Sequence, residues 1–287
     1  MSLSSVICNI CNNEKTDLFF KKSGKNIMRC NNCKCLFVYP MTTNEHQKNW
    51  YDKSYKDGVY KIYTEEENIR RKVNQRRFED ISKYVSDGAH LDVGCSAGYF
   101  LDVAFDKGFS TYGVELSEES IKKINSKHKN IFQGSLENSN FQNSFFDLIT
   151  MYDFIEHVID PNLTIKTASE KIKPGGILIL TTPDISSWHA KLMGKKWGII
   201  VPEEHLYYFS PSSIRFLLEK YGFEILEIKK DLKLFTLHDM FKMGEFYYPI
   251  LFKFYQYFKK LIPKNWLHKE RLFYFGDMLV VAKKSNS

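Results

Sequence analysis

The sequence predicts a doubly wound α/β sheet preceded by a small module that needs a metal to fold. Three observations predict it. Between residues 89 and 230 short apolar runs alternate with helical patterns, the order of a mostly parallel sheet covered on both faces. A small-residue turn, DVGCSAG from Asp92 to Gly98, joins the first of these strands to the helix after it. Two CxxC pairs stand close to the N-terminus. With 287 residues, 43% of them hydrophobic and 26% charged, the chain can build one large domain plus an appendage, and its composition excludes a disordered, collagen-like or disulfide-dense protein.

The N-terminal module spans residues 1–45, and residues 46–287 form the α/β domain. Cys8 and Cys11 in CNIC and Cys30 and Cys33 in CNNC have zinc-ribbon spacing. Each CxxC turn aims two thiolates at one point, and two turns close a tetrahedral site that leaves no position for substrate, so the zinc is structural. Cys35 is an alternative fourth ligand. Few large apolar side chains accompany the cysteines (Leu18, Phe19, Phe20, Ile27, Leu36 and Phe37), so the metal stands in for a core. The opening residues lack a basic stretch followed by an apolar core, and no run approaches about 18 uncharged apolar residues. The expectation is a cytoplasmic protein without a signal peptide or membrane span.

Charge divides unevenly. Residues 1–228 carry 29 Lys/Arg and 29 Asp/Glu, while 229–287 carry 12 and 5, so the net charge of +7 lies in the tail. This disfavours nucleic acid as a partner and permits a local basic face.

The α/β elements read in order. A helix opens at Thr64, with Glu67 three residues on as in a capping box, and closes at Gly88. The strand AHLDVG, the turn CSAG and the helix YFLDVAFDKG follow, the last stopped by Gly108. Then come FSTYGVE (strand), SEESIKKINSK (helix), NIFQG and FFDLITM (strands), DPNLTIKTASEKI (helix), GILILTT (strand), SPSSIRFLLEKYG (helix), and the strands FEILEIKK and FYFGDMLVVAKK. The turn keeps Gly94 and Gly98 but has Ser96 where a dinucleotide fingerprint has its middle glycine, and it lacks the Gly-Lys-Ser/Thr ending of a phosphate loop. Glu115 ends the second strand, where a carboxylate can accept both ribose hydroxyls of an adenosine. Taken singly, Asp92 could only cap its helix and Glu115 could only be solvated; together with the turn they point to adenosine rather than pyrophosphate. Cys95, with nothing basic near it in sequence, reads as a small buried filler.

HLDVGCSAGYFL, YGVELS, FFDLITMYDFIEHVIDP, KPGGILILTTPD and HLYYFSPSSIRFLLEKYGFEI resemble the class I S-adenosylmethionine-dependent methyltransferases over residues 88–230. The resemblance implies a Rossmann-like methyltransferase sheet with S-adenosylmethionine as cofactor. Asp92, Gly94 and Gly98 would lie at its methionine end, Glu115 at the ribose, the loop of Ser135 and Leu136 at the adenine, and Asp153 beside the sulfonium. Many relatives carry Asp where Ser135 stands, so the implied adenine contact there is through backbone. FGDMLVVAKK resembles the antiparallel last strand of this fold, which makes residues 232–270 an insertion before it.

Methyl transfer is an in-line displacement in which the cofactor supplies the electrophile, so the protein must align the acceptor and take its proton. Two segments offer a base. In DFIEH, Asp153, Glu156 and His157 fall at i, i+3 and i+4 and would share a helical face. They resemble the acidic-acidic-His cluster of ubiquinone-pathway O-methyltransferases, which is associated with a divalent metal; capping or loop support is the other reading. In PEEHLYY, His205 is the better base, because imidazole titrates near neutral pH, and Tyr207 and Tyr208 would orient the acceptor. The bland reading is that His205 packs in the loop and bonds to backbone. EEHLYYFS resembles an element of zinc-ribbon-bearing sugar methyltransferases that act on nucleotide-activated sugars.

In the insertion, Ile250, Leu251, Phe254, Tyr257, Phe258 and Leu261 share one helical face opposite Lys253, Gln256 and Lys260. That face would pack on its own domain, join two chains as a homodimer, cover the substrate as a lid or touch a membrane surface. The function expected is O-methylation of a nucleotide-activated sugar or a related intermediate of surface-polysaccharide synthesis. The rivals are an rRNA base methyltransferase with an N-terminal zinc site and a non-catalytic cofactor-binding protein.

Overall fold

The structure, a computed structural model, describes residues 6–43, 50, 67–238, 240–241, 249–258 and 261–286. Strands β1 (Thr16–Lys22), β2 (Lys25–Cys30) and β3 (Leu36–Tyr39) form an antiparallel ribbon. Ser23 and Gly24 join β1 to β2 with φ of 49° and 74°, the two left-handed residues that a two-residue hairpin turn needs. A fourth strand, β9 (Tyr207–Tyr208), comes from far along the chain and pairs with β3, Phe37 opposite Tyr207 and Leu36 opposite Tyr208. The ribbon is thereby sewn onto the α/β domain.

That domain contains, in chain order, α1 (Glu67–Ile81), β4 (Ala89–Val93), α2 (Tyr99–Asp106), β5 (Ser110–Glu115), α3 (Glu118–Ile121), β6 (Asn130–Gln133), β7 (Phe146–Tyr152), α4 (Pro161–Lys171), β8 (Ile172–Pro183), α5 (Trp188–Met193), α6 (Pro211–Lys220), β10 (Phe223–Lys230) and β13 (Asp277–Lys284). Seven strands make one sheet in the order β10-β13-β8-β7-β4-β5-β6, and β13 alone runs antiparallel to its neighbours. Side chains alternate between its faces. Leu148, Ile177, Ile179, Leu279 and Val281 pack with Phe78, Phe100 and Val103 of α1 and α2, whereas Ile149, Leu178, Leu180, Val280 and Ala282 pack with Ile165, Ile214 and Leu217 of α4 and α6. Strand order turns at β4, which pairs with both β5 and β7. The carboxyl ends of those strands are where an open α/β sheet binds ligands.

Several elements differ from expectation. Helix α1 ends at Ile81, not Gly88; the Tyr84 and Val85 amides turn back to the Ile81 carbonyl. Gly88, at φ +116°, instead makes room for Asp147, whose carboxylate accepts the Ala89 amide. The expected cap at Thr64 lies outside the described residues, as does the boundary between residues 45 and 46. SEESIKKINSK is α-helical only over α3, because turns replace helix toward Asn125. In the insertion a short β11 (Lys233–Phe235) pairs with β12 (Arg271–Phe273), and α7 (Pro249–Phe258) follows part of the expected amphipathic helix. Of its expected apolar face, the described side chains Phe254 and Tyr257, with Leu261 beyond the helix, are exposed, while Tyr255 is buried against Phe241 with ring centroids 3.9 Å apart. The Ile250, Leu251 and Phe258 side chains and Lys260 lie outside the described residues. Among the described residues no helix is long and apolar enough to cross a membrane.

Candidate functional site

The turn after β4 is built from left-handed residues. Gly94 and Gly98 both have φ +78° and Ser96 has φ +48°. The Gly94 and Cys95 amides bond the Val114 carbonyl of β5, and the Phe154 ring lies so close to Gly94 that a Cβ there would stand 2.6 Å from it. The Cys95 thiol is buried against Gly113 and burial pushes it well up, so it stays a filler.

Asp92 is buried in β4. Its Oδ1 accepts the Thr150 hydroxyl at 2.7 Å, and Thr150 Oγ1 lies 2.8 Å from His90 Nε2. Because the Thr150 proton goes to Asp92, His90 Nε2 is the donor in this pair. Burial holds His90 down to about 3, hence neutral, and pushes the Asp92 carboxyl up to about 7 against the lowering effect of the Thr150 bond. At the end of β5, the Glu115 oxygens each accept one backbone amide, from Ser96 and from Ser117, at 2.8 Å. The Gly134 amide bonds the Glu115 carbonyl, which brings Ser135 and the short 3₁₀ turn Leu136–Asn138 beside it. The Leu136 side chain is buried, so that loop offers backbone. Asp92, Gly94, Gly98, Glu115 and the Ser135 loop therefore share one edge of the sheet. Thr150 and His90 were not singled out in the sequence, since nothing marks a hydroxyl in an apolar strand as a relay.

Asp153, just past β7, has a left-handed φ of 50° and donates its amide to Thr181. Its carboxylate accepts from Arg77 at 2.9 Å and Lys233 at 3.2 Å. Burial alone would raise this group, but the Lys233 and Arg77 cations outweigh it and hold the carboxyl well below the usual range. Sequence reasoning missed both cations.

The expected face of Asp153, Glu156 and His157 is not formed. Residues 153–159 are turns, not α-helix, and Asp153 is drawn to α1 and β11. Glu156 and His157 meet His205 instead, with one ligand-type atom from each of the three within 4.8 Å of the others. The His157 and His205 rings stand 4.7 Å apart, edge to face. His157 Nδ1 lies 3.2 Å from the Glu204 carbonyl and His205 Nδ1 lies 2.7 Å from that of Ile199. Burial, with the charge of Asp153, pushes Glu156 well up; burial and the neighbouring His205 hold His157 down to about 4.

Tyr207 and Tyr208 do not face an open site. Both are fully buried in β9. The Tyr207 hydroxyl accepts from Asn9 and donates to the Ile159 carbonyl, both at 3.0 Å, so it ties the ribbon to the loop that carries His157. Tyr208 packs with Ile27, Leu36, Val38 and Trp197. As acceptor-orienting groups they are corrected: their rings lie between the ribbon and the domain.

In the ribbon, Cys8 Sγ lies 3.7 Å from Cys33 Sγ and Cys11 Sγ 3.4 Å from Cys30 Sγ. All four sulfurs fall within 4.8 Å of one another. Four thiolates at 2.3 Å from a central zinc would be separated by about 3.8 Å, so this set can hold that metal. Cys35 stands apart, its thiol turned to the Leu36 and Tyr208 carbonyls.

Residues 64–228 match the family described as "Methyltransferase domain". A ubiquinone biosynthesis O-methyltransferase from Idiomarina loihiensis is 31% identical over 125 residues, 40% of this chain and 48% of that protein. One from Coxiella burnetii is 28% identical over 174 residues, 54% of this chain and 73% of that protein. Among solved structures, a SAM-dependent methyltransferase from Thermotoga maritima has a TM-score of 0.52 at 19% identity, covering 84% of this chain and 99% of that one. A SAM-dependent methyltransferase from Archaeoglobus fulgidus has a TM-score of 0.52 at 20% identity, covering 77% and 99%. At these identities the structures speak for the fold alone.

Proposed function

The chain belongs to the methyltransferase domain family, and from that premise we propose that this S-adenosylmethionine-dependent methyltransferase acts on a hydroxyl of a nucleotide-activated sugar, with His205 as general base. When bound, the cofactor supplies the electrophilic methyl group. Asp92 would lie at its methionine end, beside the left-handed turn of Gly94 and Gly98, Glu115 would take the ribose hydroxyls with the lone pairs left by its two amide bonds, and the Ser135 and Leu136 backbone would receive the adenine. Asp153, neutralised by Arg77 and Lys233, fixes α1 and β11 over the transfer side.

The observation that supports the base assignment is the 2.7 Å bond from His205 to the Ile199 carbonyl, the backbone bond that the packing reading also expects, through the tautomer it sets. A carbonyl only accepts, so neutral His205 has its hydrogen on Nδ1 and its lone pair on Nε2, the state a base needs. His157 beside it, held down to about 4, stays neutral and does not compete for the proton. The acceptor class is supported by the resemblance of EEHLYYFS and of the N-terminal cysteines to zinc-ribbon-bearing sugar methyltransferases. Residues 1–45 form that ribbon, with one structural zinc on Cys8, Cys11, Cys30 and Cys33; residues 46–287 form the methyltransferase domain with its insertion at 232–270. Association of two chains across the exposed side of α7 belongs to the same proposal.

A second reading is favoured by the meeting of Glu156, His157 and His205 and by the names of the relatives: metal-assisted O-methylation of a phenol. His205→Ala and His157→Ala separate the two. With His205 as base, its loss lowers kcat by about 10²- to 10⁴-fold and leaves cofactor affinity nearly intact, while His157→Ala is milder. Loss of turnover in both His157→Ala and His205→Ala, with wild-type activity abolished by a chelator and restored by added divalent ions, would give the site to the metal.

A further inference from the structure

Beside the catalytic edge a cleft opens between the loop that follows β8 and the start of β13. We infer that this cleft is the subsite for the sugar ring of the acceptor, seated on the Trp188 indole and hydrogen-bonded through a hydroxyl to Asp277. The inference rests on the acceptor reading above and adds where on this chain the acceptor is held. The cavity measures about 250 Å³, and its lining includes Asp184, Trp188, Lys230, Tyr274 and Asp277. Pockets that enclose a whole drug-sized ligand run from about 300 to 1,000 Å³, so this one suits a single ring whose nucleotide lies outside it.

Its position suits an acceptor. Trp188 follows the carboxyl end of β8, Lys230 ends β10, and Asp277 begins the antiparallel β13, so all three lie on the same edge of the sheet as Asp92 and Asp153. Lys233 links the two places, with Nζ 3.2 Å from Asp153 and 3.4 Å from Asp277.

Two independent features mark a ligand site. Trp188 is 56% exposed, yet its ring is backed by His189 at 3.5 Å, and His189 by Tyr274 at 5.3 Å. A large apolar face is thus presented to the cleft and held in place. Asp277 is 2% exposed, and its Oδ2, although ion-paired with Lys233, accepts no hydrogen bond. The Lys233 ammonium at 3.4 Å meets its charge without an aligned hydrogen bond, and a ligand hydroxyl adds one. Asp184 and Asp277 are matched in the lining by Lys229 and Lys230, a balance that suits a neutral polyol. The exposed Lys230, 5.1 Å above the Tyr274 ring, is placed for the diphosphate that joins sugar to nucleotide.

The full-length protein saturated with S-adenosylhomocysteine is titrated calorimetrically with UDP-glucose, dTDP-glucose, UDP and dTDP. Cofactor binding and the KM for any methylated sugar nucleotide are measured alongside, in wild type, Trp188→Ala and Trp188→Phe. The expected result is tighter binding of a sugar nucleotide than of its bare diphosphate, roughly tenfold weaker in Trp188→Ala, largely kept in Trp188→Phe, with cofactor affinity unchanged. Sugar-nucleotide methylation with an unaltered KM in Trp188→Ala, or bare diphosphates binding as tightly as their sugars, overturns the subsite and leaves the acceptor reading standing. Methylation of phenols without any sugar-nucleotide binding overturns both.

Discussion

Asp92 lies in a strand covered on both faces, and burial rather than any neighbouring charge sets its behaviour. Its carboxyl is raised, so the protonated form is the one the fold favours. That contribution to stability is complete below the ordinary carboxylate range and is lost as pH rises through about 7. A bound cation reverses the preference, because opposite charge favours ionisation. S-adenosylmethionine affinity should therefore strengthen from pH 5 toward pH 8 and level off above about 7, and Asp92→Asn should weaken binding at pH 8 and flatten the profile. Calorimetry at constant ionic strength checks this, and a flat wild-type profile would remove Asp92 from the cofactor's charge. Glu115→Ala should cost about 1.5 to 3 kcal/mol of cofactor binding, the usual worth of a hydrogen bond to a charged group. It should also lower Tm, because the Ser96 and Ser117 amides lose their acceptor; unchanged cofactor affinity would show that Glu115 only braces the turn. Both carboxylates were legible in the sequence because a strand and its following turn are local. Arg77 and Lys233 were not, since each finds Asp153 from a distant part of the chain.

At the scale of elements, β9 explains how the cysteine ribbon is joined to this enzyme. A two-residue strand carries no readable alternation, so nothing in HLYYFS signals that it completes the ribbon sheet. The pairing fixes His205 from behind: the Val38 amide bonds the Leu206 carbonyl, and the Leu206 and Tyr207 amides converge on the Glu156 carbonyl. Purified protein should hold one zinc per chain. Cys33→Ser should lose it and, through β3 and β9, lower turnover far more than cofactor affinity, with faster amide exchange at residues 206–209. Metal-free protein with those amides protected and normal turnover would contradict the coupling. Asp153, Glu156 and His157 show the opposite failure. Their spacing was readable, but helical spacing has meaning only inside a helix, and this segment turns.

Over the whole molecule, the strand order and the antiparallel β13 follow the expected sheet, because its long apolar strands and the family's motifs are continuous in sequence. The packing of ribbon against domain was not legible, since it depends on contacts such as Asn9 with Tyr207 and a second from Asn162 to the Asn9 carbonyl. The tail's charge also reads differently in three dimensions. Lys229 is paired with Asp80, and Lys233 with Asp153 and Asp277, so part of the basic excess serves the domain and the basic face is smaller than the sequence suggested. The most direct test of the account is a methyl-transfer screen of the full-length protein with S-adenosylmethionine over nucleotide-activated hexoses, simple phenols and bulk RNA, read by product mass. The account predicts that a sugar nucleotide gains the mass of one methyl in place of hydrogen, with the new group on a sugar oxygen and the product lost in His205→Ala. Methylation confined to phenols or to RNA would contradict it.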